Sequence, residues 1–97
     1  MTTTAIETKT TRNKVSAIYG EHNRIREEQT KMRTRIFGNI QKYMSISGTT
    51  RTELLLLTDI SQPTWNRYKR GESDIGISKL IAIAYRLKTP LESMFEG

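Results

Sequence analysis

Apolar residues recur along the first half of the chain at alternating intervals of three and four residues. This spacing runs from Val15 to Ile36 and is typical of one face of a helix that repeats every seven residues. We call this face the seam; its positions are Val15, Ile18, His22, Ile25, Gln29, Met32 and Ile36. The pattern predicts a helix over residues 13–34, with polar side chains at two seam positions, His22 and Gln29.

Charged residues beside the seam favour two parallel helices. If Val15 takes heptad position a, Glu21 and Glu28 fall at position g, and Arg26 and Arg33 fall at position e. A parallel partner would then meet each glutamate with an arginine, which is the favourable pairing. The seam residues are therefore predicted to hold a homodimer or a higher homo-oligomer together.

A second interpretation needs no partner. The seam can fold back on its own domain, and the charges can form a solvated face in which Glu27 and Lys31, four residues apart, attract each other. Both interpretations make residues 13–34 a helix. The threonine-rich residues 1–12 have almost nothing to bury, so they are predicted to form a disordered arm.

The apolar stripe shifts after Ile36, which predicts a new packing environment. Ile40, Tyr43 and Met44 carry the stripe there, Asn39 interrupts it, and Gly48 supplies a helix end, so a first domain helix is expected over residues 35–47.

Four short helical signals follow, with no alternating strand pattern. The sequence from Thr50 to Glu53 is a capping box that opens a helix over 51–58, and Ser61 caps a helix over 62–70 that has Pro63 in its first turn. Asp59 suits the turn between them because it tolerates positive φ, and Gly71 ends the second helix. A helix over 77–87 and a last turn from Pro90, carrying Leu91, Met94 and Phe95, complete the pattern.

The predicted fold class is all-α. It comprises a compact bundle of about five short helices over residues 35–97, containing a helix-turn-helix and preceded by a long N-terminal helix.

Composition and charge exclude several classes of function. The 97 residues suit one domain, and a net charge of +6 with a pI near 9.9 points to a polyanionic partner. Without cysteine, and with a single histidine, the chain offers no disulfide and no ligand set for zinc or haem, so no metal or cofactor is expected. The chain lacks a signal peptide and a long apolar run, so we expect a cytoplasmic protein and no membrane contact.

An enzyme is not expected either. Asp59, Ser61 and His22 carry the groups of a catalytic triad, but they fall on separate predicted elements. No nucleophile elbow or glycine-rich phosphate loop accompanies them, so no catalytic residue is predicted.

The segment over residues 52–95 resembles the helix-turn-helix domain of the Cro and lambda-repressor type, the XRE family of phage, plasmid and bacterial regulators. Leu54 and Leu55 match the first helix of the motif, while Trp65 and Tyr68 match buried positions of the recognition helix. Further matches are Ile60 and Ser61 in the turn, Arg70 and Gly71 at the end of the recognition helix, and Leu80, Ala84, Leu87 and Leu91 in the later core.

Several positions depart from the family pattern. Lys69 stands where a glutamate is usual, and Met44 stands near the place of its arginine partner, so Lys69 is expected to face phosphate. Asp59 replaces the usual turn glycine. Glu72 and Asp74 replace residues that are often basic, which argues against phosphate contacts from their loop.

The resemblance implies that the helix over 62–70 lies in the major groove. Base contacts are expected from Gln62 to adenine, from Arg67 to guanine about one and a half turns further on the same face, from Pro63 to a thymine methyl group, and from Thr64. Phosphate contacts are expected from Arg51, Ser61, Asn66, Lys69 and Arg70. Trp65 and Tyr68 are expected in the core, although aromatic side chains can also stack on single-stranded nucleic acid.

The resemblance further implies a sequence-specific regulator of transcription, by default a repressor, that binds a two-fold symmetric double-stranded DNA operator as a homodimer. Such a protein would be prokaryotic or phage-encoded and associated with the nucleoid, and activation through RNA polymerase stays open. The alternative is an interaction protein, such as an antitoxin, whose N-terminal segment binds a protein partner and whose DNA binding is secondary.

Overall fold

The computed structural model describes the backbone over residues 2–97 and the side chains over residues 14–97. Four α-helices follow one another: α1 Thr2–Ser47, α2 Arg51–Thr58, α3 Gln62–Lys69 and α4 Ile77–Arg86. A single 3-10 turn, Leu91–Phe95, completes the chain. No strand occurs over residues 2–97, so the all-α class predicted from the sequence is confirmed.

Helix α1 is one continuous helix of 46 residues. At about 1.5 Å per residue it accounts for the 69 Å long axis of the molecule, which is only 25 Å by 19 Å in the other directions. The predicted segments over 13–34 and 35–47 are therefore a single helix. Gly20 and Gly38 weaken it without breaking it, since each costs about 1 kcal/mol relative to alanine and keeps its backbone N–H.

The backbone of α1 is helical from Thr2, which differs from the disordered arm predicted over residues 1–12. Threonine lowers helix propensity but leaves the backbone hydrogen bonds in place, and no proline or glycine occurs before Gly20. Low apolar content is therefore not enough to mark the start of the helix.

Only the C-terminal quarter of α1 belongs to the compact domain. Phe37 and Ile40 are buried there, whereas most residues over 14–35 are exposed. The fully buried side chains come from four different elements and are Ile40, Leu54, Ile83 and Met94. Helix α3 packs on α1, and α2 packs on α4.

Asn39 ties the chain end to α1. Its side-chain amide donates to the carbonyl oxygens of Met94 at 2.8 Å and Glu96 at 2.9 Å. The side chain that interrupts the apolar stripe thus satisfies two carbonyl groups of the last turn, which explains a polar residue at that position.

The local signals for helix ends are confirmed. Thr50 and Glu53 form the predicted capping box, Ser61 caps α3, and Asp59 adopts a left-handed φ of 58°. At the end of α3, the N–H of Gly71 donates to Tyr68 and the N–H of Glu72 donates to Arg67, which forms a Schellman motif. The predicted turn between α2 and α3 is therefore present.

Candidate nucleic-acid interface

Helix α3 buries its aromatic face. Trp65 and Tyr68 are only 4% and 6% exposed, and the Trp65 ring meets Phe37 of α1 edge to face at a centroid distance of 5.0 Å. This confirms the prediction that both side chains belong to the core. It also removes them as stacking platforms for single-stranded nucleic acid.

The opposite face of α3 is basic and exposed. Pro63, Arg67 and Arg70 share this face, whereas Lys69, four residues after Trp65, is exposed at the end of the helix. No acidic residue occurs over residues 62–71. The face therefore presents cations and one apolar ring to solvent.

Gln62 does not share this face with Arg67, contrary to the expectation. Five residues in an α-helix are separated by about 140° around the axis. The half-buried Gln62 instead donates from Nε2 to Oδ1 of Asn66 at 3.0 Å. The bond uses one of the two N–H groups of Gln62 and holds the side chain toward Asn66, so adenine, which needs the other N–H and the carbonyl oxygen, can be read only in that orientation.

Ser61 and Thr64 also bond to each other. The N–H of Thr64 donates to Oγ of Ser61 at 3.3 Å, and the two hydroxyl oxygens lie 2.8 Å apart. The cap of α3 thus occupies one residue predicted to bind phosphate and one predicted to contact a base. The Ser61 hydroxyl donates to that of Thr64, so a phosphate contact from Ser61 would compete with this bond, whereas the Thr64 hydroxyl keeps its own proton for a base.

Arg70 is neutralised by its own chain. Its Nε and Nη2 donate to the two carboxylate oxygens of Glu72 at 2.8 Å and 3.2 Å. The hydrogen bond from Arg70, with a smaller contribution from the charge of Arg67, lowers the pKa of Glu72 below its ordinary value. A phosphate would have to share Arg70 with this carboxylate, so Arg70 is a weaker candidate than the sequence implied.

Three of the cations predicted to bind DNA form no ion pair within residues 14–97 and stay available to an anionic partner. Within the described part of the chain, Arg51, Arg67 and Lys69 form no ion pair. All three are exposed, and Arg51 lies in the first turn of α2. They are the strongest candidates among the predicted DNA-binding residues.

The seam of α1 is unpartnered over most of its length. Val15, Ile18, Ile25 and Met32 are 43%, 60%, 52% and 38% exposed, and His22 and Gln29 are exposed as well. Only Ile36 is half-buried against the domain core. The interpretation that the seam folds back on its own domain is therefore wrong from Val15 to Ile25.

One of the two predicted interhelical ion pairs has competitors within the chain. Nε of Arg33 donates to Asp74 at 2.5 Å, and Glu28 lies 3.4 Å from Nζ of Lys31, where the sequence predicted Glu27 to attract that lysine. The guanidinium of Arg33 holds the pKa of Asp74 below its ordinary value, through a hydrogen bond first and charge second. Asp74 thus ties its loop to α1.

The second predicted pair has no such competitor. Over residues 14–97, neither Glu21 nor Arg26 forms an ion pair. Their positions beside the exposed seam leave both charges available to a partner helix.

The described residues contain neither a metal-binding cluster nor a membrane-spanning helix. Residues 14–97 hold no group of three or more histidine, aspartate or glutamate side chains placed to bind a metal ion. None of the helices described is long and apolar enough to cross a membrane.

Comparison with models of protein families, with curated proteins and with solved structures found no match to this chain. The resemblance to the Cro and lambda-repressor type therefore stays a prediction that rests on the residues quoted for it.

Proposed function

We propose that the protein is a sequence-specific double-stranded DNA-binding regulator of transcription, in the simplest case a repressor, that acts as a homodimer with α3 in the major groove. The observation that carries the proposal is the division of α3 into two faces. Trp65 and Tyr68 anchor one face in the core, while Pro63 and the unpaired Arg67 share the exposed face, in a stretch without acidic residues.

The exposed residues suit different parts of a DNA duplex. The guanidinium fork of Arg67 matches O6 and N7 of guanine, a contact that contributes about 1–3 kcal/mol of discrimination. Lys69 and Arg51, as unpaired cations, suit phosphates, which fix position without reading sequence. Pro63 lies beside Arg67 and offers an apolar contact to a thymine methyl group.

The exposed seam supports the dimer. A helix with an apolar stripe that projects beyond its own domain gains most of its stability from packing against a second helix. Two copies joined along this seam would present two α3 helices to a two-fold symmetric operator.

A selection from a randomised duplex library with the purified full chain tests the proposal. We expect enrichment of a palindromic site that binds at least about a thousand times more tightly than random DNA at physiological salt. Gel shifts at several salt concentrations then separate phosphate contacts from base contacts. Failure to enrich any motif, with weak binding that vanishes as salt rises, would contradict the proposal.

The exposed seam also favours a second candidate, an interaction protein of the antitoxin type that wraps another protein with its N-terminal helix. In that case the full chain alone would stay monomeric at micromolar concentration and the DNA selection would fail. Light scattering coupled to gel filtration distinguishes the two: a dimer in the absence of any partner contradicts the second candidate.

A further inference from the structure

The apolar surface of the seam does not stop where α1 meets the domain. Met32 and Ile36 form one wall of an open groove of about 320 Å³, and Ile75, Ile77 and Phe95 of the domain form the other. Met32, Ile77 and Phe95 are 38%, 57% and 39% exposed. An apolar groove therefore begins where the exposed part of the seam ends.

Helix α4 carries apolar side chains beyond those that the core uses. The core takes Leu80, Ile83, Ala84 and Leu87. Ile77 and Ile81, one turn apart, flank that face and are 57% and 53% exposed. Ile77 lines the groove, and Ile81 adds exposed apolar surface one turn further along α4.

Seam and groove thus form one continuous band, with Met32 belonging to both. None of the band residues lies on the basic face of α3, so DNA binding does not account for their exposure. Exposed apolar patches of this extent, rimmed by polar groups such as the Arg33–Asp74 ion pair, mark interaction surfaces.

We propose that a second copy of this chain covers the whole band, with its α1 parallel to the first along the seam and the part of that helix around Met32 seated in the groove. This inference rests on the homodimer of the proposed function and adds the domain surface of Ile77, Ile81 and Phe95 to it.

The charged residues beside the seam favour a second copy of this chain as the partner, in a parallel orientation. In a parallel pair Glu21 of each helix faces Arg26 of the other, whereas an antiparallel pair would set glutamate against glutamate and arginine against arginine. Neither residue has an ion pair within residues 14–97, so both are available. Because a two-fold interface repeats every contact, each groove receives the other helix.

The consequence concerns the spacing of the two recognition helices. Because each domain is packed on the C-terminal quarter of its own α1, the placement of the two domains depends on how the two helices are held at that end. A groove filled by the partner helix fixes both domains to the same two-fold axis, and so fixes the distance between the two α3 helices.

The chain contains no cysteine, so a single introduced thiol reports on one position without interference. We compare alkylation rates of Ile25→Cys in the seam, Ile77→Cys in the groove and Leu56→Cys on α2, which is 80% exposed and outside the band. The full chain is used without DNA, over protein concentrations from nanomolar to high micromolar. Circular dichroism of each variant verifies that it is helical.

We expect the rates at positions 25 and 77 to fall together by at least about tenfold as the protein concentration rises, while the rate at position 56 stays constant. Protection at position 25 without protection at position 77 would overturn the inference and leave the seam dimer intact. A rate at position 77 that is slow even at nanomolar concentration would mean that the same chain covers the groove, which also overturns it.

Constant rates at all three positions would overturn the inference and the dimer together. The DNA selection stands apart from these outcomes, since it uses a different reagent and a different surface. A second variant, Ile77→Gln, replaces the apolar side chain by a polar one of similar size. It should raise the dimer dissociation constant, measured by sedimentation, about tenfold. Leu56→Gln, outside the band, is the matched control and should leave that constant unchanged.

Discussion

The two parts of the chain, residues 1–34 and residues 35–97, have the same net charge but differ in how far their side chains are buried. Residues 1–34 hold seven basic and four acidic side chains, and residues 35–97 hold nine and six, so each part has a net charge of +3. The first part, wherever its side chains are described, is largely exposed, whereas the second buries side chains from every one of its helices. A single helix, α1, runs through both parts.

The difference shows that helical structure and stability have separate origins here. The C-terminal quarter of α1 is stabilised by its own domain, through Phe37 and Ile40. Residues 14–28 have no packing partner within the described part of the chain, so the same stabilisation would have to come from a second molecule. Substitutions in the two parts should therefore affect different measurements.

Removing a core aromatic side chain should have the largest effect on this comparison. Trp65→Ala deletes the ring that meets Phe37 and is expected to lower the free energy of unfolding by about 3–5 kcal/mol. Ile18→Ala, at a position 60% exposed, should leave the unfolding of the dilute monomer nearly unchanged. Thermal unfolding followed by circular dichroism measures both, and comparable losses would mean that the seam is packed within the monomer.

Removing the side-chain amide of Asn39, at the border of the two regions, should lower the free energy of unfolding by a smaller amount. Asn39→Ala leaves the carbonyl groups of Met94 and Glu96 without their donor, which should cost about 1–3 kcal/mol in unfolding free energy. Chemical denaturation measures the change. Gln41→Ala, at an exposed position of the same helix, serves as the control and should change stability by less than about 0.5 kcal/mol.

Alanine substitutions at two glycines of α1, one in each region, should change different measurements. An added methyl group meets no atom within 4 Å at either Gly20 or Gly38, so alanine fits both. Gly38→Ala should stabilise the domain by about 1 kcal/mol in any unfolding experiment. Gly20→Ala should raise helicity and tighten the dimer while the unfolding midpoint of the dilute domain stays in place; an equal rise in both midpoints would contradict the division.

The Arg33–Asp74 ion pair gives the smallest effect, and it depends on pH. Because the hydrogen bond from Arg33 lowers the pKa of Asp74 below its ordinary value of 3.8, the pair stabilises the folded state above that value. The contribution is lost as the pH falls through the lower pKa of the folded state. Asp74→Asn should remove this part of the acid dependence, seen in unfolding midpoints between about pH 2 and 5, and an unchanged acid profile would show that the pair contributes nothing.

Local chemistry explains which parts of the fold could be predicted from the sequence. The capping box of Thr50 and Glu53, the cap at Ser61 and the turn at Asp59 each act within about four residues, so their meaning is visible in the sequence itself. The bounds of α2 follow from them without error.

Contacts between distant residues could not be predicted in this way. Asp74 meets Arg33 across 41 residues, and Asn39 meets Met94 across 55. Ile77 was assigned to a helix but not to a groove, because its exposure depends on where α1 and the last turn lie. The ion pair between Arg70 and Glu72 is local, but its formation could not be predicted, because a spacing of two residues does not by itself bring two surface side chains together.

The candidate site was predicted in part. The burial of Trp65 and Tyr68 followed from their place in the motif, and it orients the whole helix. The shared face assigned to Gln62 and Arg67 was wrong on helix geometry, and Pro63 is the residue that accompanies Arg67. Arg67 is thus the residue on which the proposed base recognition depends most.

The most direct test of the central claim compares the loss of one arginine from each region. Binding of wild type, Arg67→Ala and Arg24→Ala to the selected duplex and to a scrambled duplex is measured by fluorescence anisotropy at one salt concentration. We predict that Arg67→Ala reduces the preference for the selected site by about 1–3 kcal/mol, while Arg24→Ala, an exposed position on α1, leaves that preference unchanged. Equal effects of the two substitutions on both duplexes would contradict the placement of α3 in the major groove.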